Sequence, residues 1–221
     1  MAPQPPPQSQ QPPPYRRGQA PFTGVRATIA DAAIRVIARD GFDVVSIRTV
    51  ARAAGIVHGT VQYWFPTRDA LLIGALVRFA HRQEERVDQA LAALPAGASP
   101  TTRMVAALRE LLPLDPASRE EAAFWVAMSS AASTRPTLAL PYMEELEALR
   151  RMIADALARY TVSGEPLPIT PDQGAYLLSA LVNGLMIDGL NAPADDLPRL
   201  EESLALGVRL IFTPPCMPLA G

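Results

Sequence analysis

From about residue 24 onward, apolar side chains recur at the three- and four-residue spacing of a helix face, and no stretch alternates as a half-buried strand would. The first predicted helix covers 24–39, with Ile29, Ala33, Val36 and Ile37 inward and Gly41 as its stop. Ser46 then precedes Ile47, Val50, Ala51 and Ala54, which make a short amphipathic helix with a side-chain N-cap, ended by Gly55. A second short helix covers 57–64, with Val61, Trp64 and Phe65 inward and Pro66 behind it. Thr67 is the next N-cap, with Asp69 in the first turn. The helix it opens keeps its apolar period from Leu71 to about Leu94, where Pro95, Gly97 and Pro100 form a loop. Further helices are predicted over 101–112, 117–133, 137–160, 171–190 and 197–212, each set off by a proline-containing break.

The expectation is an all-α chain of about nine helices: three short ones, a long connector and five more. Residues 1–21, rich in Pro and Gln, cannot pack a core and are read as a disordered tail. Tyr15, Arg16 and Arg17 within it read as solvated, with a contact to a DNA backbone as the alternative. The domains expected beyond it are 22–82 and 83–214, joined through the long helix.

Charge sharpens that division. Residues 1–82 carry ten Arg against four Asp, whereas 83–221 carry ten Arg against eighteen acids, within a net charge of −2. A basic first third on an acidic remainder points to a polyanionic partner for the first part. The chain has twenty Arg and no Lys, which reads mainly as genomic base composition, though Arg also suits bidentate phosphate contacts.

Candidate chemistry is sparse. Cys216 is a lone thiol, and His58 and His81 have no partners at metal-ligand spacing, so neither a metal site nor a cofactor is expected. No nucleophile–base pair stands out, so no catalytic residue is assigned and an enzyme is the weaker reading. No apolar run is long enough to span a membrane, and the N-terminus has no secretory pattern, which leads to the expectation of a cytoplasmic protein.

The informative stretch is SIRTVARAAGIVHGTVQYWF, residues 46–65. Two short amphipathic helices meet at Gly55 with His58, Gly59, Gln62 and Tyr63 left outward on the second. This is helix-turn-helix geometry, and the second helix fits a major groove roughly 12 Å wide. Gln62 suits an adenine edge, and His58 a base edge or a phosphate. Thr60, Tyr63 and Arg68 are candidates for phosphate, Arg48 for a phosphate or a base, and Ser46 presents its helix N-terminus to a phosphate. Gly59 leaves room for close approach.

Residues 26–72 resemble the DNA-binding domain of the TetR family. The match rests on Ala32-Ala33, Gly41-Phe42, Ser46-Ile47, Val50-Ala51, Ala54-Gly55-Ile56, Gly59-Thr60-Val61, Phe65, and Arg68 with Leu71-Leu72. Two positions depart from it: Val57 stands where the family has Ser or Thr, and Gln62 where it often has Tyr. ALVNGLMIDGL (180–190) further resembles the BetI-like branch.

The resemblance implies a homodimer that binds a double-stranded, palindromic operator as a repressor and is released by a small effector. Leu177, Leu181, Leu185, Leu204, Val208 and Ile211, on the last two helices, are the expected dimer surface. Met104, Leu108, Phe124, Trp125, Met128, Tyr142, Asn183 and Met186 are the expected effector contacts, which suit an apolar or aromatic molecule. Activation instead of repression, and DNA binding without an effector, stay open at this level.

Overall fold

A computed structural model describes residues 22–162 and 167–212. The tail 1–21, with Tyr15, Arg16 and Arg17, and the C-terminal stretch with Cys216 lie outside the described residues. The described residues form nine α-helices and no strand. They are α1 (Gly24–Asp40), α2 (Ile47–Ala54), α3 (His58–Trp64), α4 (Arg68–Ala92), α5 (Pro100–Arg109), α6 (Pro116–Ala132), α7 (Pro136–Val162), α8 (Pro171–Asn191) and α9 (Leu197–Phe212). Their ends fall close to the expected ones.

Local chemistry explains the boundaries. Ser46 caps α2 by accepting from the Thr49 amide, while the Thr49 hydroxyl accepts from the Ser46 amide, a reciprocal box. Thr67 caps α4 in the same sense. Ser99, Asp115 and Thr170 each cap a helix whose first residue is proline, a position where the missing N–H is no loss. Those prolines belong to their helices, which is why α5 and α6 begin one residue earlier than expected. Gly55 closes α2 at φ 66°, ψ 28°, a left-handed cap that a Cβ would strain.

The head of the molecule is α1–α3 packed on the first turns of α4. Ile29, Ile34, Val50, Val61, Leu71 and Leu72 are fully buried there. Gly74 of α4 lies so close to Phe65 that a Cβ on it would stand 2.2 Å from the ring carbon Cε1. The α8–α9 pair, α7 and α5 build the other end, where Leu157, Val182, Leu204 and Val208 are buried. One continuous apolar core joins the two ends, because α1 packs against α6 as well as α4.

A charged seam accompanies that contact. Asp31 of α1 pairs with Arg78 at 2.9 Å and Arg82 at 3.5 Å on α4. Glu121 of α6 is fully buried and is held by Arg82 at 2.8 Å, by Arg86 and by the Gln83 amide at 2.6 Å. A carboxylate removed from water demands such partners, so the seam fixes how α4 lies between head and body.

Candidate DNA interface and effector region

On α3 the residues expected outward face solvent except Tyr63. His58, Gly59, Thr60 and Gln62 are exposed, while Val61 and Phe65 are buried. Gly59 has open space where a Cβ would stand, so packing within the chain does not demand glycine here. The vacancy fits a surface that another molecule approaches closely. Tyr63 is half-buried, edge-on to Trp64 at 5.3 Å between centroids. Arg48 is exposed on α2. Ser46 is half-buried with its hydroxyl in the capping box, which leaves the helix N-terminus as its contribution.

Two residues outside the expected set join this surface. Val57, the residue before α3, is 77% exposed and provides no side-chain cap. It adds an exposed apolar side chain to the surface beside α3. Arg52, in the last turn of α2, is exposed on the same side of the chain as Arg48 by helical spacing. Its four-residue spacing from Arg48 is the signal that marks it in the sequence.

Arg68 corrects an expectation. Its Nε donates to the Val45 carbonyl at 2.8 Å, and one terminal nitrogen donates to the Phe42 carbonyl at 2.8 Å. The guanidinium also stands 4.9 Å from the centroid of the Phe42 ring. It is therefore an internal pin that satisfies carbonyls of the one-turn 3-10 helix Phe42–Val44 and its exit, just before α2. Its fork is turned into the protein, not outward toward phosphate.

Phe42 takes a second guanidinium, from Arg135 at the α6–α7 turn, 4.4 Å from the ring centroid. Arg135 also reaches Asp43 at 3.3 Å. A residue of the body thus touches the segment leading into α2.

In the body, the expected effector residues divide. Met104 and Leu108 line a cavity of about 260 Å³ between α4, α5, α7 and α9. Trp125 and Met186 line a smaller one of about 70 Å³ between α4, α6, α7 and α8. Val87 and Met152 border both. Phe124 and Met128 are fully buried and line neither, so they fill core. Tyr142 and Asn183 also stand outside both linings and serve Trp125. The Tyr142 ring packs on the indole at 4.6 Å, and Asn183 accepts from the indole N–H at 2.7 Å. Burial pushes the Tyr142 phenol above its ordinary pKa, opposed in part by a hydrogen bond with the Ser129 side chain. Phe79 covers the other face of the indole, nearly parallel at 5.4 Å.

The last two helices also correct an expectation. Leu185, Leu204, Val208 and Ile211 are buried inside their own chain. They hold α8 and α9 to the body and have no surface to offer a partner. The apolar face left in solvent carries Tyr176, Leu177 and Ile187 on α8, and Leu206 and Leu210 on α9. Leu181 is half-buried, because α9 comes close enough that a Cβ on Gly207 would stand 2.3 Å from it.

Comparison with known proteins agrees with this division. Residues 29–75 match the family model described as bacterial regulatory proteins, tetR family. Residues 100–209 match the model of the BetI-type transcriptional repressor, C-terminal. The HTH-type transcriptional repressor KstR of Mycobacterium tuberculosis is 29% identical over 198 residues, covering 85% of this chain and 80% of that protein. The HTH-type transcriptional regulator BetI of Rhizobium meliloti is 32% identical over 107 residues, 48% of this chain and 51% of its own. A transcriptional regulator from Rhodococcus sp. RHA1 superposes with a TM-score of 0.73 at 31% identity, over 85% of this chain and 96% of that one. A regulator from Saccharomonospora viridis, solved in complex with choline, superposes with a TM-score of 0.71 at 25% identity, over 83% and 95%. With the head, the body and the full-length likeness in agreement, the chain belongs to the TetR family of bacterial transcriptional regulators, with a C-terminal domain of the BetI type.

Proposed function

We propose that this DNA-binding regulator acts as a homodimeric repressor of a palindromic operator and is released by a small effector bound in its body. The observation that carries the reading is α3. It holds His58, Gly59, Thr60 and Gln62 outward on a helix anchored by Val61 and Phe65, while Arg48 stands on the neighbouring α2. Gln62 reads a base edge, Val57 meets a thymine methyl, and Thr60, Tyr63 and Arg48 position the backbone. Residues 22–82 are the reading unit and 83–214 the controlling one.

The exposed apolar face of α8 and α9 supports the dimer. Leu177, Ile187, Leu206 and Leu210 form a patch that a second copy covers by an isologous, four-helix contact. A two-fold pairing sets two copies of α3 against successive major-groove faces, so the operator is an inverted repeat with half-sites about one helical turn apart. Effector control draws support from the cavities beside α4 and from two similar proteins. One is the Saccharomonospora viridis regulator with choline, and the other the multidrug binding protein EbrR complexed with imidazole. The effector stabilises an arrangement of the head that no longer fits both half-sites, a coupling of about 1–3 kcal/mol in such systems. The Arg135–Phe42–Arg68 stack provides a physical link between body and head.

Selection of bound sequences from random duplex DNA tests the core of this reading. An inverted repeat recovered by a protein that sediments as a dimer is the expected result. A single unrepeated site, or a monomer on DNA, would overturn it.

A further inference from the structure

The larger cavity has a chemical polarity that narrows what it takes. Its floor is apolar, built from Met104, Leu108 and Ile153, with the small side chains of Ala107 and Ala156 leaving space. The cavity, of about 260 Å³, is open to solvent on the side of the exposed Arg103, Met152 and Arg159. The charged residues in its lining are Arg103 of α5 and Arg159 of α7, and no acid lines it. Both arginines are exposed, and among the described residues no hydrogen bond or ion pair engages either of them. Two guanidiniums without such bonds, from different helices, in the lining of an otherwise mostly apolar cavity suit an anion with an apolar body.

The adjoining smaller cavity has carboxyl side chains in its lining and no arginine. Beyond the shared wall of Val87 and Met152 it is bordered by Glu84 and Glu145 and ends on Trp125.

We infer that the effector is an amphipathic anion: a flexible hydrocarbon chain carrying a carboxylate or phosphate headgroup held between Arg103 and Arg159. This rests on the effector-controlled reading above and names its ligand class.

The test is isothermal titration of the full chain with four probes of one tail length, below their micelle-forming concentrations. They are decanoate, decyl phosphate, decanol and decyltrimethylammonium. The first two separate a carboxylate from a phosphate source. One anion or both is expected to bind best. Combining Arg103→Gln with Arg159→Gln, two exposed positions, should weaken the anion about tenfold and leave decanol unchanged. Ala156→Trp, which fills the cavity, should weaken every probe that binds. If decanol or decyltrimethylammonium binds as well as the anions and the double variant changes nothing, the anionic class is overturned while a cavity effector stands. If no probe binds, or if Ala156→Trp leaves anion binding intact, the assignment to this cavity is overturned. Selection of an inverted-repeat operator, done without any ligand, judges the wider reading separately.

Discussion

The three-helix head and the α8–α9 pair are each built round fully buried aliphatic side chains, yet they show solvent opposite surfaces. The head keeps Val50, Val61 and Leu72 inside and turns His58, Thr60, Gln62 and Arg48 out. The α8–α9 pair buries Leu204 and Val208 and still leaves Leu177, Ile187, Leu206 and Leu210 in water. A polar outer face suits a hydrated, charged partner, and an apolar one suits a second protein surface. The comparison shows that apolar periodicity alone does not separate folding from association. A helix with two apolar faces spends one on its own core, and only the packing tells which.

The sharpest way to break that comparison is on α9. Leu204→Ala empties a fully buried site and should cost about 2–5 kcal/mol of stability, seen by thermal or denaturant unfolding. Leu206→Asp should retain the helix content of the protomer and raise the dimer dissociation constant by a factor of ten or more, as read by sedimentation. Equal loss of fold in the two variants would erase the distinction between the faces.

A smaller effect is expected in the head. Arg68→Ala removes two hydrogen bonds to the carbonyls of Phe42 and Val45 and should destabilise the entry to α2 by about 1–3 kcal/mol. DNA affinity should then fall alike for all sequences, with the slope of binding against salt unchanged. A flatter slope would return Arg68 to the phosphate backbone.

Gln62→Ala should leave stability intact and remove about 1–3 kcal/mol of discrimination at one base pair of each half-site. Uniform loss across sequences would make Gln62 a backbone contact. The smallest change is Ser46→Ala. Loss of the capping box should lower stability by about 1 kcal/mol and weaken operator binding modestly. No shift in the melting temperature would mean that the α2 N-terminus is held by packing alone.

The helix plan was legible in the sequence because its punctuation is chemical and local. Ser46, Thr67, Gly41 and Gly55 act within one turn of where they stand, and so do the prolines. The outward face of α3 was legible for a related reason: α3 is short, and Val61 and Phe65 leave little choice of inward side. What escaped depends on partners far along the chain. Arg68 meets carbonyls twenty-three and twenty-six residues away, which spacing within the motif does not reveal. Phe124 and Met128 carry the same side-chain chemistry as cavity residues, and only the fold shows that they fill space while Met104 and Leu108 border it. The apolar face of α8 and α9 was sought at Leu185, Leu204, Val208 and Ile211 because a linear pattern marks helical faces without ranking them.

The approach of Gly74 to Phe65 has a consequence for motion. Phe65 ends the recognition helix and Gly74 lies in the second turn of α4, with the ring seated where a side chain would otherwise be. Contact that close leaves no slack between the two helices. The missing methyl group at position 74 thus ties α4 to the end of α3, and any side chain placed there would have to push the two helices apart.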